Sequence, residues 1–325
     1  MGVRFSHLAF GAAALFPWTV ATSAWAQTWS VSITPANIGK VAMPSGASTF
    51  HVHADGSVVS QTGAGVFIGG APAARALVTI GCSVQIACNN THIKVVIARS
   101  SPYDAPVSSL TSFTVAMNDA TLSGSAPTPA SSITFSLQPI SRGSSQSFYV
   151  GMDMTVSGSG TATGPGGGPW TVTASTTGGA SAVSTPTSTQ ITSLRPIGVT
   201  KSTDLAFGVI VKPASGSGTV TMAPGGGMSF TGGVTNVGSH APALFNITGE
   251  GGSAFSFSLQ PTMTMSAGAG TSLLVTTIGS GTYTLGSTLG ASGATSLAVG
   301  GSFPLGSTTK SAAYSGSFSV LAIYN

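Results

Sequence analysis

The chain has 325 residues, with 10 Lys plus Arg against 6 Asp plus Glu, a formal net charge of +4, 42% hydrophobic residues and only 5% charged ones. It is too apolar for the highly charged disordered class, its few basic residues are too scattered for a nucleic-acid footprint, and its isolated acids leave little for catalysis. Gly, Ser, Thr and Val dominate at the expense of helix formers, so the expected fold class is all-β, strands joined by tight turns.

Residues 1–26 read as a secretory signal. Arg4 gives a basic start, Leu8 to Val20 an apolar stretch too short to span a bilayer, and Ala24-Trp25-Ala26 a small-x-small cleavage site. No later apolar run escapes interruption by Ser, Thr or Gly, so no transmembrane segment is expected after cleavage. The product is expected to be exported, passing through the periplasm to the cell surface, a fimbrium or the medium.

Thr28 to Thr34 carries Trp29, Val31 and Ile33 at period two, a strand with one apolar face. Ile38-Gly39-Lys40-Val41-Ala42-Met43-Pro44 follows, and it returns about half a chain later as Phe207-Gly208-Val209-Ile210-Val211-Lys212-Pro213. The strand-like Ser48 to His53 is matched by Gly218 to Met222, and Ala71-Pro72-Ala73 with Thr79-Ile80-Gly81 by Ala241-Pro242-Ala243 with Ile247-Thr248-Gly249. A period of about 170 residues is far longer than a solenoid repeat, so the repeated unit is a domain.

Within the first copy, His51 and His53 lie on one strand face, with Asp55 and His92 as further conceivable zinc or copper ligands. Set against this is the plain reading of two solvent-facing residues opposite Phe50 and Val52. Cys82 and Cys88 are the only cysteines; in an exported protein they are expected to form a disulfide, the alternatives being a metal site or free thiols.

Further alternating runs, Ile133-Phe135-Leu137 and Phe255-Phe257-Leu259, fit strands of an antiparallel sandwich. The expected architecture is two tandem immunoglobulin-like β-sandwiches: a diverged N-terminal domain over 27–178, a Ser/Thr/Gly-rich linker over 179–190 and a C-terminal domain over 191–325. The two endings look alike, with Phe148 to Gly151 and Trp170 to Ala174 answered by Leu297 to Gly300 and Tyr314 to Val320.

The second copy resembles a known family. Val199-Thr200-Lys201-Ser202-Thr203-Asp204-Leu205-Ala206-Phe207-Gly208, Gly218 to Thr221, Gly232-Gly233-Val234, Phe245-Asn246-Ile247-Thr248-Gly249-Glu250, Val299-Gly300-Gly301 and Tyr314 to Val320 are similar to the bacterial exported family called domain of unknown function four-four-zero-two. The first copy departs from that pattern: Glu250 has no counterpart near Gly81, and the cysteine pair stands where the second copy has Gly251-Gly252. Members of the family look like fimbrial or spore-coat subunits, small pilin-like sandwiches with an alternating C-terminal strand. The resemblance implies an assembly strand carrying Phe318, Val320, Ala322 and Tyr324 that borders a groove filled by a neighbouring subunit's strand; the competing reading is a last strand that merely closes its own sheet.

Under strand donation, Trp29, Val31 and Ile33 are either the face that this chain donates or part of its own first domain, which would leave a two-domain tip adhesin. The implied partners are other fimbrial or surface subunits, a periplasmic chaperone and usher, and a surface glycan or host ligand. The alternative is a secreted carbohydrate- or protein-binding module. A polysaccharide-active enzyme is disfavoured, because Glu250 is the only Glu and Asp55, Asp104, Asp119, Asp153 and Asp204 stand singly; neither a cofactor nor a catalytic residue is expected.

Overall fold

The structure is a computed structural model that describes residues 29–69, 75–82, 91–176, 181–268 and 271–325. The signal segment, its cleavage site and Cys88 lie outside these residues, so neither the leader nor the Cys82–Cys88 pairing is addressed by the fold. The described residues contain strands, turns and bends, with no helix.

The first half is built from two sheets. One has the order β1 (Trp29–Thr34), β6 (Ala76–Cys82), β10 (Ser145–Val156), β3 (Ser48–Val52) and β4 (Val58–Thr62), with β8 (Val107–Met117) also paired to β10. The other runs β5 (Val66–Gly69), β2 (Asn37–Ala42), β13 (Thr187–Leu194), β11 (Gly164–Thr176), β7 (Ile93–Arg99) and β9 (Ser132–Leu137), with β12 (Ser181–Val183) beside β11. Period-two alternation turns one face of each sheet inward, and Phe50, Val78 and Phe148 of the first share a core with Ile97, Trp170 and Val172 of the second.

The second half repeats the first sheet strand for strand: β14 (Gly198–Thr203), β19 (Ala243–Glu250), β24 (Ser292–Gly306), β16 (Ser217–Met222) and β17 (Met228–Phe230). Here β22 (Ser272–Ile278) joins β24 as β8 joins β10, and carries β21 (Thr262–Ser266) on its other side. The second sheet, however, is split in two. A two-stranded piece, β15 (Ile210–Val211) with β18 (Thr235–Asn236), answers β2 and β5; a three-stranded piece, β23 (Gly281–Thr284), β20 (Ala254–Leu259) and β25 (Val320–Tyr324), answers β9, β7 and β11. Among the described residues nothing answers β13.

β13 joins the two parts of the sheet in the first half. It pairs antiparallel to β11, from Gly164↔Ser193 to Trp170↔Thr187, and parallel to β2, with Thr192↔Lys40 and Leu194↔Ala42. Of the stretch expected as a linker, 179–190, residues 181–183 form β12 and residues 187–190 open β13, both hydrogen-bonded to β11. Its polar composition does not prevent burial, because Thr189, fully buried, accepts a hydrogen bond from Trp170 Nε1 at 3.0 Å and donates to Met152 Sδ at 3.4 Å.

The repeated Gly of the two matching motifs has a backbone role. Gly39 and Gly208 both adopt positive φ, 91° and 77°, and a Cβ on Gly208 would meet Ser239 O at 2.4 Å. Only glycine takes this conformation freely. In each copy it turns the preceding residue into the core, with Ile38 1% and Phe207 7% exposed.

Candidate functional site

The split in the second sheet leaves a cavity. Residues 205–212 run along one wall, held from outside by Ala206↔Ala241, Ile210↔Asn236 and the Val237 N–H to Val209 O bond. The opposite wall is the extended segment leading into β25. It is held on its far side by Ser315↔Ser266, by Gln260 N–H to Ser319 O, and by the β20 ladder from Phe255↔Tyr324 to Leu259↔Val320. Among the described residues, no strand pairs with the inward backbone edge of either wall.

Between these edges lies a cavity of about 790 Å³ lined by Leu205, Phe207, Ile210, Met265, Leu273, Phe303, Leu305 and Tyr314, among others. Phe207 and Phe303 meet edge to face at 4.9 Å across its floor, on a core that also holds Val220, Met222 and Val275. Lys212 and Lys310 lie at one end, and the Lys212 ammonium donates to Thr309 O at 3.0 Å. An apolar trough between two unpaired strand edges can satisfy an added strand with both main-chain hydrogen bonds and side-chain pockets.

The strand anticipated for assembly, β25, follows the cavity-lining residues 309–314 in the chain. Ala322 is buried, and Phe318, Val320 and Tyr324 are half-buried against the adjoining core, while Leu321 and Ile323 on the other face are 57% and 51% exposed. Trp29, Val31 and Ile33 are placed in β1, in register with β6 from Trp29↔Cys82 to Thr34↔Leu77. Trp29 is buried, and Val31 and Ile33 pack on the same core. These three side chains are thus engaged by their own domain.

A second feature, not foreseen from sequence, is the polar junction between the halves. Glu250, at the end of β19, has a side chain with no solvent exposure. Its carboxylate accepts from Arg195 Nη1 at 2.8 Å, Arg195 N at 3.2 Å, Thr163 Oγ1 at 3.2 Å and Gly290 N at 2.5 Å. Tyr324, at the end of β25, closes the arrangement: its hydroxyl accepts from Glu250 N at 2.7 Å and donates to Arg195 O at 2.8 Å. Lys40 Nζ adds a bond to Asn325 O at 2.7 Å. The only Glu was a visible singularity, but its partner lies 55 residues away in sequence, beyond any local pattern.

Burial pushes the Tyr324 phenol above its ordinary range. A folded pKa above the unfolded one means that the native state keeps the proton longer, so this stabilisation is complete below about pH 10 and is lost as pH rises through the folded pKa. Alkaline titration of the native chain is expected to show a loss of stability above about pH 10 that is smaller in Tyr324→Phe. Denaturant midpoints measured at several pH values will show whether the two proteins diverge.

The histidine pair is differently engaged. His51 on β3 lies opposite Asp153 on β10, and its Nδ1 contacts the carboxylate of Asp153, a residue 7% exposed. The His53 ring meets that of His51 edge-on at 4.2 Å. Asp55 is turned to its own loop, accepting from Ser57 N and Oγ, and these bonds hold its carboxyl below the usual range. His92 is exposed before β7. Among the described residues, no group of three or more His, Cys, Asp or Glu is placed to hold a metal ion.

The first half also carries a depression of about 380 Å³ over β2, β13 and β11, bounded by Asn37, Asp104, Pro165, Ser188, Gln190, Ile191 and Thr192 above the backbone of Gly166 and Gly167. No helix among the described residues is long and apolar enough to cross a membrane.

Comparison with known proteins gives one family. Residues 197–324 match the family described as Domain of unknown function (DUF4402), a span that opens just before β14 and closes on Tyr324. No curated protein matches the chain.

Proposed function

We propose, starting from the match of residues 197–324 to the DUF4402 family, that the protein is an exported structural or adhesive subunit of the cell surface, whose second domain is completed by a β-strand from a neighbouring subunit. The observation that carries this reading is the difference between the two halves: one sheet is bridged by β13, and its counterpart is divided by an apolar cavity. Both domains are read as immunoglobulin-like and pilin-like sandwiches, the second in the incomplete form that strand donation requires.

The first domain is read as the outward, ligand-binding part. With Trp29, Val31 and Ile33 built into β1, that strand is not offered to a neighbour, which favours the tip of a fibre over its shaft. A periplasmic chaperone and an usher are the transit partners this mode of assembly calls for, since an open groove is an association hazard until filled. The depression over β13, with Asn37, Asp104 and Gln190 on its rim, favours a second reading: a secreted module binding a glycan or host protein, without a fibre. An enzyme is not proposed, because the six acids stand singly along the sequence.

Immunogold electron microscopy of producing cells, with antibody to the first domain, tests the assignment. The expected result is label at fibre ends, lost when Leu273→Lys introduces an unpaired charge into the half-buried wall of the cavity. Label along the shaft would contradict the tip position, and diffuse label with no fibres would favour the secreted module.

A further inference from the structure

The two halves share a topology, so the filled groove of the first is a template for the open groove of the second. β13 runs parallel to β2, and the Met43 N–H bonds Leu194 O where the inserted strand ends. In the repeated motif Met43 corresponds to Lys212. An incoming strand that follows this template therefore finishes its course beside Lys212, with Lys310 on the opposite wall.

The charge around the groove is one-sided. Both lysines are exposed and line the same end, while no acidic residue lines the cavity. The nearest acid along the chain from the far end, Asp204, is ion-paired to Lys201 at 2.5 Å. The apolar body of the groove accepts a strand in either direction; the lysine end distinguishes the two.

We propose that the strand received by the second domain runs parallel to Leu205–Lys212 and carries a carboxylate at its C-terminal end, held by Lys212 and Lys310. This rests on the strand-acceptor reading above and specifies the partner: an extended segment with alternating apolar residues that closes on Asp or Glu. Charge at that position sets direction and register, which a uniformly apolar trough sets poorly.

The test uses the purified full chain and four synthetic peptides of about eight residues, the length of β13. All share one core with Leu or Ile at alternate positions and have blocked termini. They differ in carrying Asp at the C-terminal end, Asp at the N-terminal end, Lys at the C-terminal end, or no charge. The expected result is that the C-terminal Asp peptide binds about three- to tenfold tighter than the neutral one, as befits two exposed ion pairs. The C-terminal Lys peptide should bind more weakly than the neutral one, and the N-terminal Asp peptide like it. The gain should shrink with added salt and vanish in the Lys212→Ala, Lys310→Ala double variant, which should bind the C-terminal Asp and neutral peptides alike. Equal affinities for all four would overturn the acid recognition while leaving strand acceptance intact. A preference for N-terminal Asp would overturn the direction. Binding by none of them would remove strand acceptance itself, and this proposal with it.

Discussion

An alternating apolar peptide at a hundredfold excess over its dissociation constant is expected to stabilise the native chain by about 2.7 kcal/mol. The gain arises because the peptide binds the folded second domain and not the unfolded chain. It has two sources: main-chain bonds to the unpaired edges along residues 205–212 and 312–319, and burial of side chains against Leu205, Ile210, Leu273 and Tyr314. Calorimetry should show the shift in the unfolding of the second domain, with Leu273→Lys losing it. An unchanged profile for the native chain would argue that the two walls do not admit a strand.

The second large effect is expected at Glu250. Glu250→Ala removes the acceptor for a guanidinium and for the Arg195 and Gly290 amides at a site without solvent, and should lower stability by about 3–5 kcal/mol. Arg195→Ala should cost less, because Thr163, Gly290 and the Arg195 amide still hold the carboxylate. The double variant should be little worse than Glu250→Ala alone, since the partners act as a unit. Additive losses, measured by denaturant unfolding, would mean that the two residues act separately. The junction also ties β25 to the segment that follows β13, because the Tyr324 hydroxyl that ends β25 is bonded at both Glu250 N and Arg195 O.

Much of this fold was open to reading from the residues. Alternation in Phe50-Val52, Ile133-Phe135-Leu137 and Phe255-Phe257-Leu259 marked strands that lie in β3, β9 and β20 with those side chains buried. The repeat of Ile38-Gly39 as Phe207-Gly208 marked two copies, and the left-handed glycine in each gives the physical reason. The family resemblance of the second copy is matched by residues 197–324.

What was hidden had specific causes. The opening of β13, up to Gln190, reads as a linker because Thr189 is a polar side chain that composition assigns to solvent; its Trp170 and Met152 partners make its burial tolerable. The role of Trp29, Val31 and Ile33 was undecidable because a donated strand and a core strand show the same alternation. The open groove is a missing ladder rather than a motif, so it became visible only when the two sheets were laid side by side. Glu250 and Arg195 meet through the fold alone.

Hydrogen exchange of the full chain, with and without an alternating apolar peptide, bears most directly on the claim that the second domain accepts a strand. Backbone amides of residues 205–212 and 312–319 that lack partners should exchange quickly alone and become protected when the peptide is bound, while the β2, β11 and β13 amides stay as they were. Protection of both segments without peptide, or no change in either upon its addition, would contradict the account.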